Sequence, residues 1–124
     1  MAVAARRVDR LDDLVCEIEE FEGRAMAFAL NVGDRGNVRQ VVADTETELG
    51  AISVLLDNAD IMEPRDGIDV TEADFDRVIC TDLKGAWLVA QETGRHMIRM
   101  GQGGSIINTA SIRSFLSSLW APAY

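Results

Sequence analysis

The sequence predicts an α/β domain built on a parallel sheet. Three observations predict it. Short apolar runs alternate strictly with longer segments of helical apolar spacing, and a glycine or a capping residue stands at nearly every junction between them. The polar clusters with chemical potential also fall directly after apolar runs, on the edge where the carboxyl ends of parallel strands meet.

Each element follows in order. "AVAA" is a short apolar run stopped by Arg6 and Arg7, and reads as a strand. Leu11, Leu14, Val15, Ile18 and Phe21 then recur at helical spacing behind Asp9, which is placed to cap the helix. Gly23 ends it. "AMAFAL" is the second strand, and Asp34 caps a helix with Val38, Val41, Val42 and Leu49 on one side, closed by Gly50. "AISVLL" is a continuous apolar run, as expected of a parallel strand covered on both faces. After a polar loop containing Pro64 and Gly67, Thr71 caps one long helix through Phe75, Val78, Ile79, Leu83, Trp87 and Ala90 to Met100. "GQGG" breaks it, and "SIINT" starts the last strand. Such alternation implies right-handed crossovers.

The chain of 124 residues is sized for one domain, and 48% apolar with 27% charged residues is ordinary for a globular protein. A net charge of −9 argues against nucleic acid as a partner, because phosphate-backbone affinity comes from Lys and Arg displacing counterions. Cys16 and Cys80 lie far apart without CxxC or a paired histidine, which fits a reducing compartment and predicts two small buried hydrophobes. "MAVAA" is too short for a signal-peptide apolar region, and no run approaches the length of a membrane span. A cytoplasmic protein with no membrane partner is expected. There are no internal repeats and no low-complexity tract.

The sites to search are therefore "RR" after the first strand, "NVGD" after the second, "DNAD" after the third and "TAS" after the fourth. Three longer segments carry a resemblance. "AISVLLDNADI" is similar to a strand followed by Asn-Asn-Ala-Gly, and "VICTDLKGAW" to a helix segment bearing an active-site Asn. "GGSIINTASI", with Tyr124 following Ser111 by 13 residues, is similar to a serine and tyrosine pair. In this order and spacing, over essentially all 124 residues, the chain resembles the short-chain dehydrogenase/reductase family.

That resemblance implies a Rossmann-like doubly wound parallel sheet, incomplete, with the first strand and its glycine-rich turn absent along with the C-terminal part. Residues 1–124 then form one partial NAD(P)-binding domain. The absent strand belongs between "AVAA" and "AISVLL", so the sheet should lack its middle and present two unpaired edges. The implied reaction is hydride transfer between a nicotinamide cofactor and a small-molecule carbonyl or secondary alcohol. Ser111 would hold the substrate oxygen, Tyr124 would pass its proton, and Asp82 occupies the active-site Asn position. The family lowers its tyrosine pKa with a lysine four residues later.

Among cofactor positions, Arg6 and Arg7 would pair with a 2′-phosphate, which makes NADP the expected cofactor with NAD as the other option. Their alternative reading is two solvated arginines ahead of a helix. Asn31 stands where the family has Asp and can bond the adenine edge, with Val32 packing beside it. Asn58, Ala59 and Asp60 lie in the cofactor loop, where Asp57 replaces the first Asn and Asp60 replaces a Gly; the carboxylate adds bulk and repulsion toward a phosphorylated ligand. Asp82 likewise exchanges an amide for an acceptor-only carboxylate. A non-catalytic nucleotide-binding or subunit-interaction module of the same fold is the competing reading. The chain by itself is expected to be inactive, and the full-length protein to be a homo-oligomer.

The remaining residues have plainer readings. No metal site is expected, and His96, beside Arg95 and Arg99, is expected at the surface. Asp44, Glu46 and Glu48 are expected to be solvated, Trp87 to pack or to join a helical dimer interface, and Trp120 to face substrate or pack in its loop.

Overall fold

A computed structural model describes residues 1–112 of the chain. Strand β1 (Ala2–Ala5), helix α1 (Val8–Glu20), strand β2 (Met26–Ala29), helix α2 (Arg35–Leu49) and strand β3 (Val54–Asp57) alternate as expected. Beyond them come a 3-10 turn (Gly67–Asp69), helix α3 (Glu72–Val78), a π turn (Ile79–Gly85), helix α4 (Ala86–Met100) and strand β4 (Ser105–Asn108).

β1 pairs with β2 and β3 with β4, both in parallel, with Ala5 opposite Ala29 and Asp57 opposite Asn108. The described strands form two separate two-stranded sheets, and none of them joins β1 to β3. The sheet therefore has the interrupted middle that the resemblance implies. Val32, Val38 and Val89 form the buried centre between the β2–α2 turn, α2 and α4, with Leu30 and Leu55 packed against it.

Caps explain most boundaries. Asp34 Oδ1 accepts from the Gly36 and Asn37 amides at 2.8 and 3.2 Å, so two orphan donors of α2 are satisfied at once. Thr71 accepts from the Asp74 amide at 3.1 Å, and its hydroxyl donates to the Asp74 carboxylate at 2.8 Å. That bond, with Arg65 and Arg77 nearby, holds Asp74 below the usual carboxylate range against the opposing effect of burial. At the far end, Gly101 adopts φ 68°, the left-handed geometry that closes a helix and that a β-carbon disfavours.

Several expectations are corrected. α1 begins one residue ahead of Asp9: Arg7 is the extended cap residue without a side-chain bond, and Asp9 sits inside the first turn, where its charge suits the helix dipole. Phe21 falls at the helix end and is 85% exposed. Cys16 is exposed and Cys80 half-buried, both free, because position 16 lies on the outer face of α1. β3 is covered on one side only, by α4; Val54 and Leu56 stay exposed on the other. The long helix is not uniform, since a π turn divides it.

His96 is the largest correction, being 1% exposed instead of superficial. Its Nε2 accepts from the Ile52 amide at 2.9 Å, and its Nδ1 lies 3.2 Å from Glu46 Oε2, so it fastens α4 to α2 and to the entry of β3. Glu46 also pairs with Arg99 and is not merely solvated. The buried carboxylate of Glu92 is met by Arg35, Arg39 and Arg95 at 2.7–3.2 Å. Burial works against its charge, but the hydrogen bonds and positive charges of Arg95 and Arg39 hold it below the usual carboxylate range. Trp87 is 54% exposed, with the Arg35 guanidinium 5.1 Å above its ring.

Candidate functional site

The carboxyl ends of the strands assemble the site. The Leu30 amide donates to Ala5 O at 2.9 Å, extending the β1–β2 ladder by one step. The exposed Arg6 and Arg7 thus leave β1 beside the turn that begins at Asn31.

That turn is tightly specified. The Asn31 amide donates to Asn37 Oδ1 at 2.7 Å, Asn37 Nδ2 donates to Ala29 O at 3.2 Å, and the Gly33 amide donates to Asn31 Oδ1 at 3.1 Å. The Asp34 amide closes the turn on Asn31 O at 3.0 Å. The side-chain oxygen of Asn31 is therefore engaged locally. Val32 is buried beneath, in the core.

Across the interrupted sheet, β3 ends at the buried Asp57, whose Oδ1 accepts from the Ala59 amide at 3.0 Å. The Thr109 amide donates to Asp57 O at 2.8 Å, which carries the β3–β4 ladder past Asn108 toward the half-buried Ser111. Asn58, Ala59 and Asp60 are exposed along this loop. The Ile61 amide then donates to Asp82 Oδ1 at 3.0 Å, so the π turn is tied to the loop after β3. Burial raises the Asp82 pKa above the ordinary carboxylate value, the Ile61 N–H partly offsets this, and the charge of Asp60 adds to the rise.

The structure thus brings Asn31, Val32, Asn58, Ala59, Asp60, Asp82 and Ser111 to one edge, with Arg6 and Arg7 at the end of β1 on that edge. Tyr124 and Trp120 lie outside the described residues. Sequence reasoning missed Asn37, whose side chain bonds both sides of the first turn. It also missed Cys80 and Gly85, which pack behind Gly33 and Val32. Gly85 had one visible signal: a glycine within a helical pattern disfavours the helix, so its presence asks for a packing reason.

This edge can receive an elongated ligand lying over the two turns, with neutral donors on the first and carboxylates on the second. No group of three or more His, Cys, Asp or Glu among the described residues is arranged to hold a metal ion. No helix among them is long and apolar enough to cross a membrane. An apolar cavity of about 370 Å³, lined by Gly94, Met97, Ile98, Gly101, Gly103 and Gly104, lies at the opposite end of β4 from this edge.

The sequence profile described as short chain dehydrogenase matches residues 1–124. The 3-oxoacyl-(acyl-carrier-protein) reductase of Thermotoga maritima is 36% identical over 104 residues, covering 84% of this chain and 42% of that protein. A short-chain type dehydrogenase/reductase from Mycobacterium marinum superposes with a TM-score of 0.92 at 32% identity, covering 97% of this chain and 49% of its own. A gluconate 5-dehydrogenase from Burkholderia cenocepacia, in complex with NADP and tartrate, superposes with a TM-score of 0.88 at 27% identity, covering 99% and 48%. The chain spans less than half the length of these relatives.

Proposed function

The chain belongs to the short chain dehydrogenase family, and from that premise we propose that it forms the central part of an NADP-preferring oxidoreductase acting on a small carbonyl or secondary alcohol. The observation that supports this reading best is the convergence of the two turns: Asn31 and Val32 follow β2, Asn58 to Asp60 follow β3, and Asp82 bonds the second turn through Ile61. An NADP lying along this edge fits the interrupted sheet, with its adenosine half over the first turn and its nicotinamide half over the second. The cofactor supplies the hydride acceptor or donor. NADP in the structurally similar gluconate 5-dehydrogenase supports the choice of cofactor.

Within that reading each residue has a task. Arg6 and Arg7 meet the 2′-phosphate, where a guanidinium fits the anion with two parallel donors. Asn31 offers its amide to the adenine edge, and Val32 forms the floor. Asn58, Ala59 and Asp60 flank the ribose and nicotinamide. Ser111 holds the substrate oxygen while Tyr124 transfers a proton to or from it. Asp82 accepts from the loop backbone and alters proton supply where the family carries an amide. The full-length protein associates with copies of itself through the outer face of α4, where Trp87 and Ile98 are exposed.

A second reading, a non-catalytic nucleotide-binding or subunit-interaction module, is favoured by one specific observation. Asp60 and Asp82 put two carboxylates close enough to interact where an anionic cofactor would pass. The test translates the coding sequence with both flanks and follows NADPH oxidation with a panel of aldehydes and ketones, alongside the 124-residue chain. Turnover by the extended protein that Ser111→Ala and Tyr124→Phe abolish supports the enzyme. NADPH binding without turnover favours the module, and turnover by the 124-residue chain alone would contradict its expected inactivity.

A further inference from the structure

The helical stretch from Glu72 to Met100 is α-helical at both ends and widens to a π turn only over Ile79–Gly85. A π turn places residues five apart on one side, as an α turn does with residues four apart. Cys80 and Gly85 are such a pair, and both stand against the turn after β2. A β-carbon on Gly33 would meet Cys80 Sγ at 2.9 Å, and a β-carbon on Gly85 would meet Val32 Cγ2 at 2.6 Å and Val32 Cβ at 3.0 Å. On an ideal α-helix Cys80 and Gly85 would point about 140° apart, and only one of them could face that turn. Asp82, between them in sequence, instead accepts from the Ile61 amide in the turn after β3 at 3.0 Å.

From this juxtaposition we infer that the π turn is a two-sided clamp on the cofactor edge, with Gly85 the positioning residue for Val32 on one side and Asp82 the positioning residue for Ile61 on the other. The inference rests on the nucleotide-binding reading of the two turns. Glycine is among the poorest helix formers, so its place inside the helix needs a packing cause, and the approach of Val32 supplies one. Because Val32 is itself in the buried core with Val38 and Val89, it cannot yield to a new methyl group without shifting the turn that carries Asn31. The absence of a side chain at position 85 thus sets the height of the adenine floor. The Asp82 contact sets the nicotinamide side by a different bond, so the two sides can be moved separately.

The test uses the full-length protein with Gly85→Ala. Adenosine 2′,5′-bisphosphate probes the first turn, nicotinamide mononucleotide the second, and NMR follows the Val32 methyls and the Asn31 and Ile61 amides. Overpacking of this kind should weaken adenosine bisphosphate about tenfold. It should shift the Val32 methyls while leaving nicotinamide mononucleotide binding and the Ile61 amide in place. Adding Val32→Ala should return the Asn31 amide resonance to its wild-type position, and Asp82→Ala, which removes the acceptor that an asparagine would keep, should move the Ile61 amide without moving the Val32 methyls. A folded Gly85→Ala protein with unmoved Val32 methyls and wild-type adenosine bisphosphate affinity overturns the inference, as does one in which both turns shift together. Should Gly85→Ala fail to fold, Gly33→Ala with and without Cys80→Ala tests the same packing, because removing Sγ should relieve the crowding. Wild-type protein that binds neither probe would sink the nucleotide reading, while the NMR shifts would still decide the clamp.

Discussion

In the turn after β2, Asn31, Asn37 and Asp34 satisfy one another and the backbone with five bonds of 2.7–3.2 Å to side-chain oxygens and nitrogens. In the turn after β3, two backbone amides donate to carboxylates: Ala59 to Asp57, and Ile61 to Asp82, beside the charge of Asp60. The first turn absorbs its departure from the family pattern, because an amide at position 31 can still accept from Gly33 and keep a donor. The second concentrates negative charge where the proposed anionic cofactor would lie, so on that proposal its departures would act on the ligand as well as on the turn. Turns at the ends of strands in two separate sheets should thus tolerate substitution differently according to whether the new group can be satisfied locally.

The largest expected effect breaks the entry of β3, the strand that carries the second region. His96→Ala leaves the Ile52 N–H without its acceptor and opens a cavity between α4 and α2, and should cost about 3 kcal/mol or more of stability in urea unfolding. Asn37→Ala, which removes two bonds from the more exposed first turn, should cost about 1–2 kcal/mol in the same experiment. Equal losses would mean that the entry of β3 and the first turn are anchored alike.

Ligand binding sharpens the comparison next. In the full-length protein Arg6→Asp should weaken NADPH by roughly 1–3 kcal/mol and NADH far less, as titration with both cofactors would reveal. Equal losses would remove Arg6 from the site. On the other side, Asp60→Gly should tighten NADPH and raise turnover by about tenfold, by removing a charge and a side chain together. If neither improves, the carboxylate does not meet the cofactor.

The smallest effect is one of pH. Burial raises the Asp82 pKa above its ordinary value of 3.8 in the folded protein, and the charge of Asp60 adds to this. The folded state then holds the proton more tightly than the unfolded state, so this group lowers stability as pH rises through the interval between the two values. The penalty is present in full above the folded value and absent below the ordinary one. Asp82→Asn should therefore stabilise at neutral pH by less than about 1 kcal/mol once solvent screening is allowed for, and change little at about pH 3. Unfolding curves at both pH values check this, and a gain that persists at acid pH would assign it to something other than the charge.

Much of the architecture was legible before the structure. Asp34, Thr71 and Gly101 act within three or four residues of their own positions, and such local chemistry reads directly from a sequence. The alternation of strands and helices likewise put the candidate motifs after the carboxyl ends of the strands. Asp9 was misread as a cap because an acidic residue suits both the cap and the first turn, and only the backbone tells them apart. His96 was misread because two flanking arginines look like a solvent face. Its acceptor role is set by Ile52, 44 positions away, and by Glu46, 50 positions away.

The order of strands and helices, their stops and the chemistry at their carboxyl ends were determined by the sequence alone, since periodicity and caps are properties of neighbours along the chain. Only the tertiary structure decided that β3 is covered on one face. It alone placed His96 inside and widened the helix around Asp82 to a π turn. The physical reason is shared: each of these depends on which distant residue comes to fill, or fails to fill, the space beside a group. Hydrogen bonds and close packing settle that only when the chain has folded.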